Sequence, residues 1–323
     1  MKPRFIPVWG VFCAVLVVCS ACSVNKMAIR AVSNALTGEG SNTVFTGDSD
    51  PELVGDALPF AIKMYETLLS SNPEHQGLIL TTGSLFIMYA NAFIQGPAEF
   101  LPVTEYENRL AALERAKKFY LRGAEILYGG LDKKYPGFSG ASSLDGTLEP
   151  YLARMKKADV PLLYWTAAGY LAAYSLDPFD LVLGRRVPDL MFLMDRAYAL
   201  DPDFNHGALD EFYILALSSL PESIGGDKTR VETHFNRALE KSRGLLAGPY
   251  VSYAQAVSIP AQDYDTFKAY LEKALALDVD ADPGSRLLNV IAQRKAQSLL
   301  DTASDYFLDI DTTDGEEWVN DEY

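Results

Sequence analysis

Side chains able to do acid–base, nucleophilic or metal chemistry occur along this sequence, but their spacing assembles no reaction centre. The three histidines, His75, His206 and His234, are isolated from one another, whereas zinc sites hold their ligands at short fixed intervals. A serine nucleophile would sit in a Gly-x-Ser-x-Gly turn between strand and helix, and Gly137-Phe138-Ser139-Gly140 has neither that spacing nor that context. Gly225-Gly226-Asp227-Lys228-Thr229 has the look of the end of a phosphate loop. It lacks the adjacent Gly-Lys, so it reads as a turn before a helix. Asp48, Asp50 and Glu52 alternate as at the start of a calcium loop, without the Gly and closing Glu that shape one. They read as turn and N-cap acids. Paired carboxylates specify nothing in a chain with 43 Asp and Glu. With no nucleophile beside a base, the sequence predicts a protein that is not an enzyme and uses no metal or cofactor.

One residue does sit in a setting that prescribes a modification. Lys2 and Arg4 precede an apolar run from Phe5 to Val18, followed by Cys19-Ser20-Ala21-Cys22. This is the layout of an export signal with small residues before the cut, and it is similar to a bacterial lipobox. Residues 1–21 are therefore expected to be a signal peptide, with Cys22 the first mature residue, carrying acyl chains such as palmitate. Residues 22–45 then form a lipidated N-terminal segment tethered to a bacterial membrane in the periplasm. Cys19 stands where lipoboxes usually have Leu, which keeps a plain signal peptide or a single span as the alternative. All three cysteines, Cys13, Cys19 and Cys22, precede the mature fold, so no disulfide is expected in it. The chain has 28 Lys and Arg, giving a net charge of −15, which repels phosphate backbones and argues against a nucleic-acid partner.

The elements that must carry any site are helices. Leu58, Ile62, Tyr65 and Leu68 recur at helical steps, as do Leu162, Trp165, Gly169 and Ala172, and Phe267, Tyr270, Ala274 and Leu277. Leu288, Ile291, Ala292, Leu299, Ala303 and Tyr306 trace a stripe on a last helix of about twenty residues. Asp56 reads as an N-cap, with Pro59 in the first turn behind it. Beyond the N-terminal run, no segment reads as apolar for long enough to span a bilayer. Three helix ends resemble one another: Leu68-Leu69-Ser70-Ser71-Asn72-Pro73, Ala197-Tyr198-Ala199-Leu200-Asp201-Pro202 and Ala274-Leu275-Ala276-Leu277-Asp278. They match the second helix of a tetratricopeptide repeat (TPR), and Trp165, Ala168-Gly169 and Ala172 give a degenerate first helix. The fold class is all-α, a helical-hairpin array of about four degenerate repeats with insertions over residues 46–308. An ordinary helical bundle is the alternative. Residues 129–147 read as a long loop, a length that usually has a use at a site or an interface. Residues 309–323 are acidic and expected to be disordered, with Trp318 and Tyr323 as candidate docking residues.

Further residues carry a resemblance. Ser33-Asn34-Ala35-Leu36, Thr43-Val44-Phe45, Asp50-Pro51-Glu52-Leu53-Val54 and Ala57-Leu58-Pro59-Phe60 come in order along the chain. Tyr120-Leu121-Arg122-Gly123, Leu163-Tyr164-Trp165, Gly207-Ala208-Leu209-Asp210-Glu211-Phe212, Pro249-Tyr250-Val251-Ser252 and Asp280-Ala281-Asp282-Pro283 follow. From about Ser33 to Phe307 the chain resembles the T-component lipoproteins (TatT-type) of TPR-protein-associated TRAP transporters. The resemblance implies a periplasmic, membrane-tethered, non-enzymatic homotrimer. It would bind the solute-binding P component and help pass a small, partly apolar ligand. Asp210 stands where relatives are expected to have His. Candidate lining residues for ligand or partner are Tyr164, Trp165, Glu211, Phe212, Tyr250 and Tyr253, with Arg286, Asn289 and Gln293 as polar contacts on the last helix. The alternative functions are a scaffold lipoprotein for envelope assembly and a surface lipoprotein that binds glycans or nutrients.

Overall fold

The computed structural model describes residues 29–308 apart from 39, 41 and 42. The expected signal peptide, the lipidation point Cys22 and the acidic tail from residue 309 lie outside the described residues. Within them every regular element is a helix. The chain is helical over 29–37 (α1), then Thr43–Thr46 (α2), Pro51–Ser71 (α3) and Gln76–Tyr89 (α4). A π-helical segment, Ala90–Gln95, joins α4 to Gly96–Glu99 (α5), and Tyr106–Lys134 (α6) follows. Next come Glu149–Arg154 (α7), Val160–Leu176 (α8), Leu181–Leu200 (α9), Ala208–Ser219 (α10) and Lys228–Lys241 (α11). Gly248–Tyr253 (α12) passes through a second π segment, Ala254–Ser258, into Ile259–Ala261 (α13). Tyr264–Leu275 (α14) and Arg286–Asp301 (α15) complete the order.

Local chemistry sets the helix ends. Asn72, Asp177 and Asp201 each cap a helix C-terminus with φ between −139° and −154°. A proline follows each of them; its ring excludes the α region for the residue before it, so the helix stops there. The π segments have a related cause. Pro97 and Pro260 lie two residues past them. Each proline lacks the N–H for the carbonyl four residues back and its ring crowds that carbonyl, so the turn ahead of it widens.

Several boundaries differ from the sequence expectation. Asp50, and not Asp56, caps α3: its side chain accepts a bond from Leu53 N, Pro51 opens the helix, and Pro59 lies inside it. α6 continues through Lys134, so the loop begins only at Tyr135, and it is pinned by the buried Phe138 and by Asp132, which accepts from Ser139 N at 2.8 Å. α15 ends at Asp301, and Leu288 is 55% exposed, so it lies off the packed face formed by Leu287, Asn289, Ala296 and Leu299. The 24-residue helical run Gln76–Glu99 is long and apolar enough to cross a bilayer by length and composition, contrary to the sequence reading, but most of it is buried inside the protein. It serves as a core helix.

Packing runs from each helix to the next: α3 on α4, α4 on α6, α6 on α8, α8 on α9, and on through α10, α11, α12, α14 and α15. Where α4 crosses α6, a Cβ on Gly123 would lie 2.5 Å from Gly83 O, so only glycine permits that approach. Tyr120, Ala124, Leu127 and Leu131 of α6 are fully buried there, each large side chain contributing about 1.5–3 kcal/mol. The last helix returns to the first. Leu287 of α15 packs in one cluster with Val54, Leu58 and Ile62 of α3. Arg294 pairs with both carboxylate oxygens of Glu52, and Arg286 Nη1 donates to Gly47 O at 2.8 Å. From the other side, Phe100 packs against the cluster of α12, α14 and α15. The sequence of helices thus closes into a ring.

Candidate functional site

The sequence candidates on α8 and α10 lie on half-buried helix faces. α8 leaves Pro161, Tyr164, Trp165, Ala168 and Ala172 half-buried, a stripe at helical spacing, while Leu163, Ala167 and Ala173 beside them are fully buried. On α10 the corresponding half-buried positions are Ala208, Glu211 and Phe212. Burial pushes the Tyr164 hydroxyl pKa up, and the Glu211 carboxylate pushes it further. Tyr164 meets Trp165 edge-on at 5.1 Å between ring centroids and Phe204 at 5.3 Å.

Glu211 of α10 sits against α12. Burial raises its carboxyl pKa above the ordinary value, against a hydrogen bond from Ser252 Oγ to Oε1 (2.9 Å) and the positive charge of Lys295. A Cβ on Gly248 of α12 would stand 2.6 Å from Oε1 and 3.0 Å from Oε2, so the absence of a side chain there makes room for the carboxylate. Lys295 itself pairs with Glu99 Oε2 at 3.1 Å. Glu99 Oε1 accepts from Gln95 Nε2 (2.7 Å), and Gln95 Oε1 accepts from the buried Tyr120 hydroxyl (2.6 Å). Gln95 closes the first π segment, so that widened turn carries one end of a polar chain leading from α6 to α15.

The remaining sequence candidates fall elsewhere. Tyr250 and Tyr253 are half-buried in a separate aromatic group with Phe235 and Tyr270, at centroid distances from 4.6 to 5.9 Å. The Tyr253 hydroxyl donates to Glu232 Oε2 at 2.8 Å. The three polar residues proposed on the last helix are structural ties, and their groups are already engaged. Asn289 is 1% exposed; its Oδ1 accepts from Ala247 N (3.0 Å) and its Nδ2 donates to Leu245 O (2.9 Å). Gln293 Nε2 donates to the carbonyls of Ala274, Leu275 and Leu277 at 2.8–3.2 Å, capping the end of α14. Arg286 joins Asp280 at 2.6 Å as well as Gly47.

Sequence reasoning missed a second polar centre next to the first. Asp210 is fully buried, and its Oδ1 lies 2.7 Å from His234 Nδ1 and accepts from the Tyr198 hydroxyl at 3.0 Å. Lys241 Nζ meets Oδ2 at 2.6 Å. Burial alone would raise the Asp210 carboxyl pKa, but the hydrogen bonds from His234, Lys241 and Tyr198 and the Lys241 charge outweigh it and hold it below the usual range. His234 is therefore not isolated; it stacks on Tyr213 at 4.7 Å and is 2% exposed. Neither side chain opens onto solvent, and the pair ties α10 to α11. Among the described residues no group of three or more His, Cys, Asp or Glu is placed to hold a metal ion.

The chain belongs to the TRAP transporter T-component family, whose sequence model matches residues 47–307. It is similar to an uncharacterized protein of Treponema pallidum (strain Nichols), 35% identical over 305 residues that cover 90% of this chain and 94% of the relative. The family is one of transporter accessory components, so the chain works in association with the other components of a TRAP transporter.

Proposed function

We propose that this chain is a periplasmic, lipid-anchored T component that binds the solute-binding P component and passes a small, partly apolar solute through the centre of the helical ring. Export and acylation at Cys22 tether it to a bacterial membrane, and three copies assemble as a homotrimer. The helix pairs are degenerate tetratricopeptide repeats: the Asn72-Pro73 and Asp201-Pro202 endings support that reading. The observation that carries the transport role is the half-buried set Tyr164, Trp165, Phe212 and Glu211, held in a closed ring in a chain of this family. A closed helical ring keeps its inner face rigid without the solute, so little ordering is lost on binding. Contact with the P component holds the solute at a high effective concentration between the two proteins.

Sedimentation velocity of the purified chain, alone and with the P component of its transporter, tests this. A trimer that forms a faster-moving complex with the P component at micromolar concentration is expected. Two independent boundaries at tens of micromolar would contradict the role.

A further inference from the structure

Three connections between helices converge on one cavity of about 230 Å³. His206 comes from the α9–α10 connection, Arg243, Leu245 and Leu246 from α11–α12, and Ala281 and Asp282 from α14–α15. The first two connections bend through left-handed backbone at residues that carry side chains. Asn205, His206 and Arg243 have φ of 44°, 56° and 53°, and glycine stands only at the following positions, Gly207 and Gly244. Such backbone crowds the Cβ of an L residue, and it persists where the surroundings enforce it, often around bound ligands. Here they do enforce it. A Cβ on Gly207 would stand 3.2 Å from Ala238 Cα, so this bend lies directly on α11. Asn289 grips the other bend through Leu245 O and Ala247 N. The cavity wall is thus fixed before any ligand arrives.

The wall carries opposite charges that do not meet. Arg243 and Asp282 both line the cavity, yet they form no ion pair with each other. Among the described residues the Arg243 guanidinium has no hydrogen-bond or ion-pair partner. Asp282 is oriented by its own turn, with Oδ1 accepting from Gly284 N (3.3 Å) and Oδ2 from Ser285 Oγ (2.7 Å), both uncharged donors. Leu245 and Leu246, half-buried, and Ala281 supply the apolar part of the wall.

We propose that this cavity binds a small zwitterion, an α-amino acid with an apolar side chain, its carboxylate on Arg243 and its ammonium group on Asp282. The site stands apart from the transport reading. A guanidinium offers a carboxylate two parallel N–H donors, and a carboxylate with uncharged partners keeps acceptor sites for an ammonium group. An anion without the ammonium group would meet Asp282 as a like charge, and a cation without the carboxylate would meet Arg243 in the same way. The volume lies below the range of about 300–1,000 Å³ typical of drug-sized sites, which fits a ligand as small as an amino acid. A ligand bridging the three connections would brace α10, α12 and α15 against one another, so occupancy should raise the melting temperature.

Isothermal titration calorimetry of the full chain tests the inference with L-leucine, with 4-methylpentanoate, which lacks the ammonium group, and with 3-methylbutylamine, which lacks the carboxylate. Leucine is expected to bind one per chain, about tenfold or more tighter than either analogue. Arg243→Gly removes the guanidinium and suits the left-handed backbone. It should weaken leucine about tenfold or more while the variant melts no lower than the parent chain, so the loss is not one of folding. Asp282→Asn, which keeps an acceptor for the turn, should bring leucine down to the affinity of 4-methylpentanoate. Equal binding of leucine and either analogue, leucine affinity unchanged by Arg243→Gly, or no leucine binding up to about 10 mM would each overturn the proposal.

Discussion

Asp210 and Glu211 are neighbours on one helix and live in opposite worlds. The Asp210 carboxylate points into the α9–α10–α11 contact, is fully buried and has three polar partners, two of them able to carry positive charge. The Glu211 carboxylate lies against Ser252 and Gly248 of α12, its residue is half-buried, and its one hydrogen-bond partner is uncharged. Both pay for leaving water, yet the carboxyl pKa falls at the first and rises at the second. The difference separates a group that holds the fold from one kept unsatisfied. A buried polar cluster that is complete has nothing left to offer a ligand, whereas an incomplete one is tolerated only where something else can complete it.

Removing the complete cluster should have the largest effect. Asp210→Ala strands Lys241 and His234 and is expected to cost about 3–5 kcal/mol in urea unfolding. Asn289→Ala, which frees a backbone N–H and a carbonyl between α15 and the α11–α12 connection, is expected to cost about 1–3 kcal/mol by the same measurement. Trp165→Ala should retain the helical circular dichroism spectrum, with a smaller stability loss than Asn289→Ala, because Trp165 is only half-buried. Unfolding by that substitution would make it a core residue and remove it from the lining.

The smallest effect has the opposite sign. Because the folded Glu211 carboxyl titrates above its unfolded value, its ionised form opposes folding. That penalty is absent below about pH 4.5 and sets in as pH rises through the folded pKa. Glu211→Gln should therefore stabilise the protein at pH 7, by less than the loss from any of the other variants, with the gain vanishing in acid. At Asp210 the sign reverses: the folded pKa is lowered, so its contribution is present above the unfolded pKa near 4 and is lost as pH falls through the folded one. Thermal melts of the two variants against pH would resolve these opposite slopes.

The helices and their ends were legible because they are local matters. Asp201-Pro202 and Asn72-Pro73 stop helices by sterics between adjacent residues, and stripes such as Phe267, Leu271 and Ala274 pack as their spacing requires. The family was legible from ordered short motifs between about Ser33 and Phe307. The ring was not, since its closure depends on Glu52 meeting Arg294 and Leu287 meeting Val54, pairings that helical periodicity does not encode. The two carboxylates were legible only as types. Whether Glu211 meets Ser252 and Asp210 a histidine 24 positions later depends on how α10 is rotated against α12 and α11. The structural ties made by the polar residues of α15 were illegible for a related reason. A polar side chain on a helix serves a neighbouring backbone as readily as a ligand, and Asn289 and Gln293 do the former.

Thiol accessibility tests most directly whether a solute can reach Glu211 as the transport reading requires, since the sequence beyond Cys22 has no cysteine. In chains carrying Glu211→Cys or Ala167→Cys, the residues being half-buried and fully buried respectively, a small methanethiosulfonate reagent is applied to the native protein. The account predicts rapid modification at position 211 and protection at 167 until the chain is unfolded. Equal protection at both positions would mean that no solute reaches Glu211, and that the ring has no usable interior.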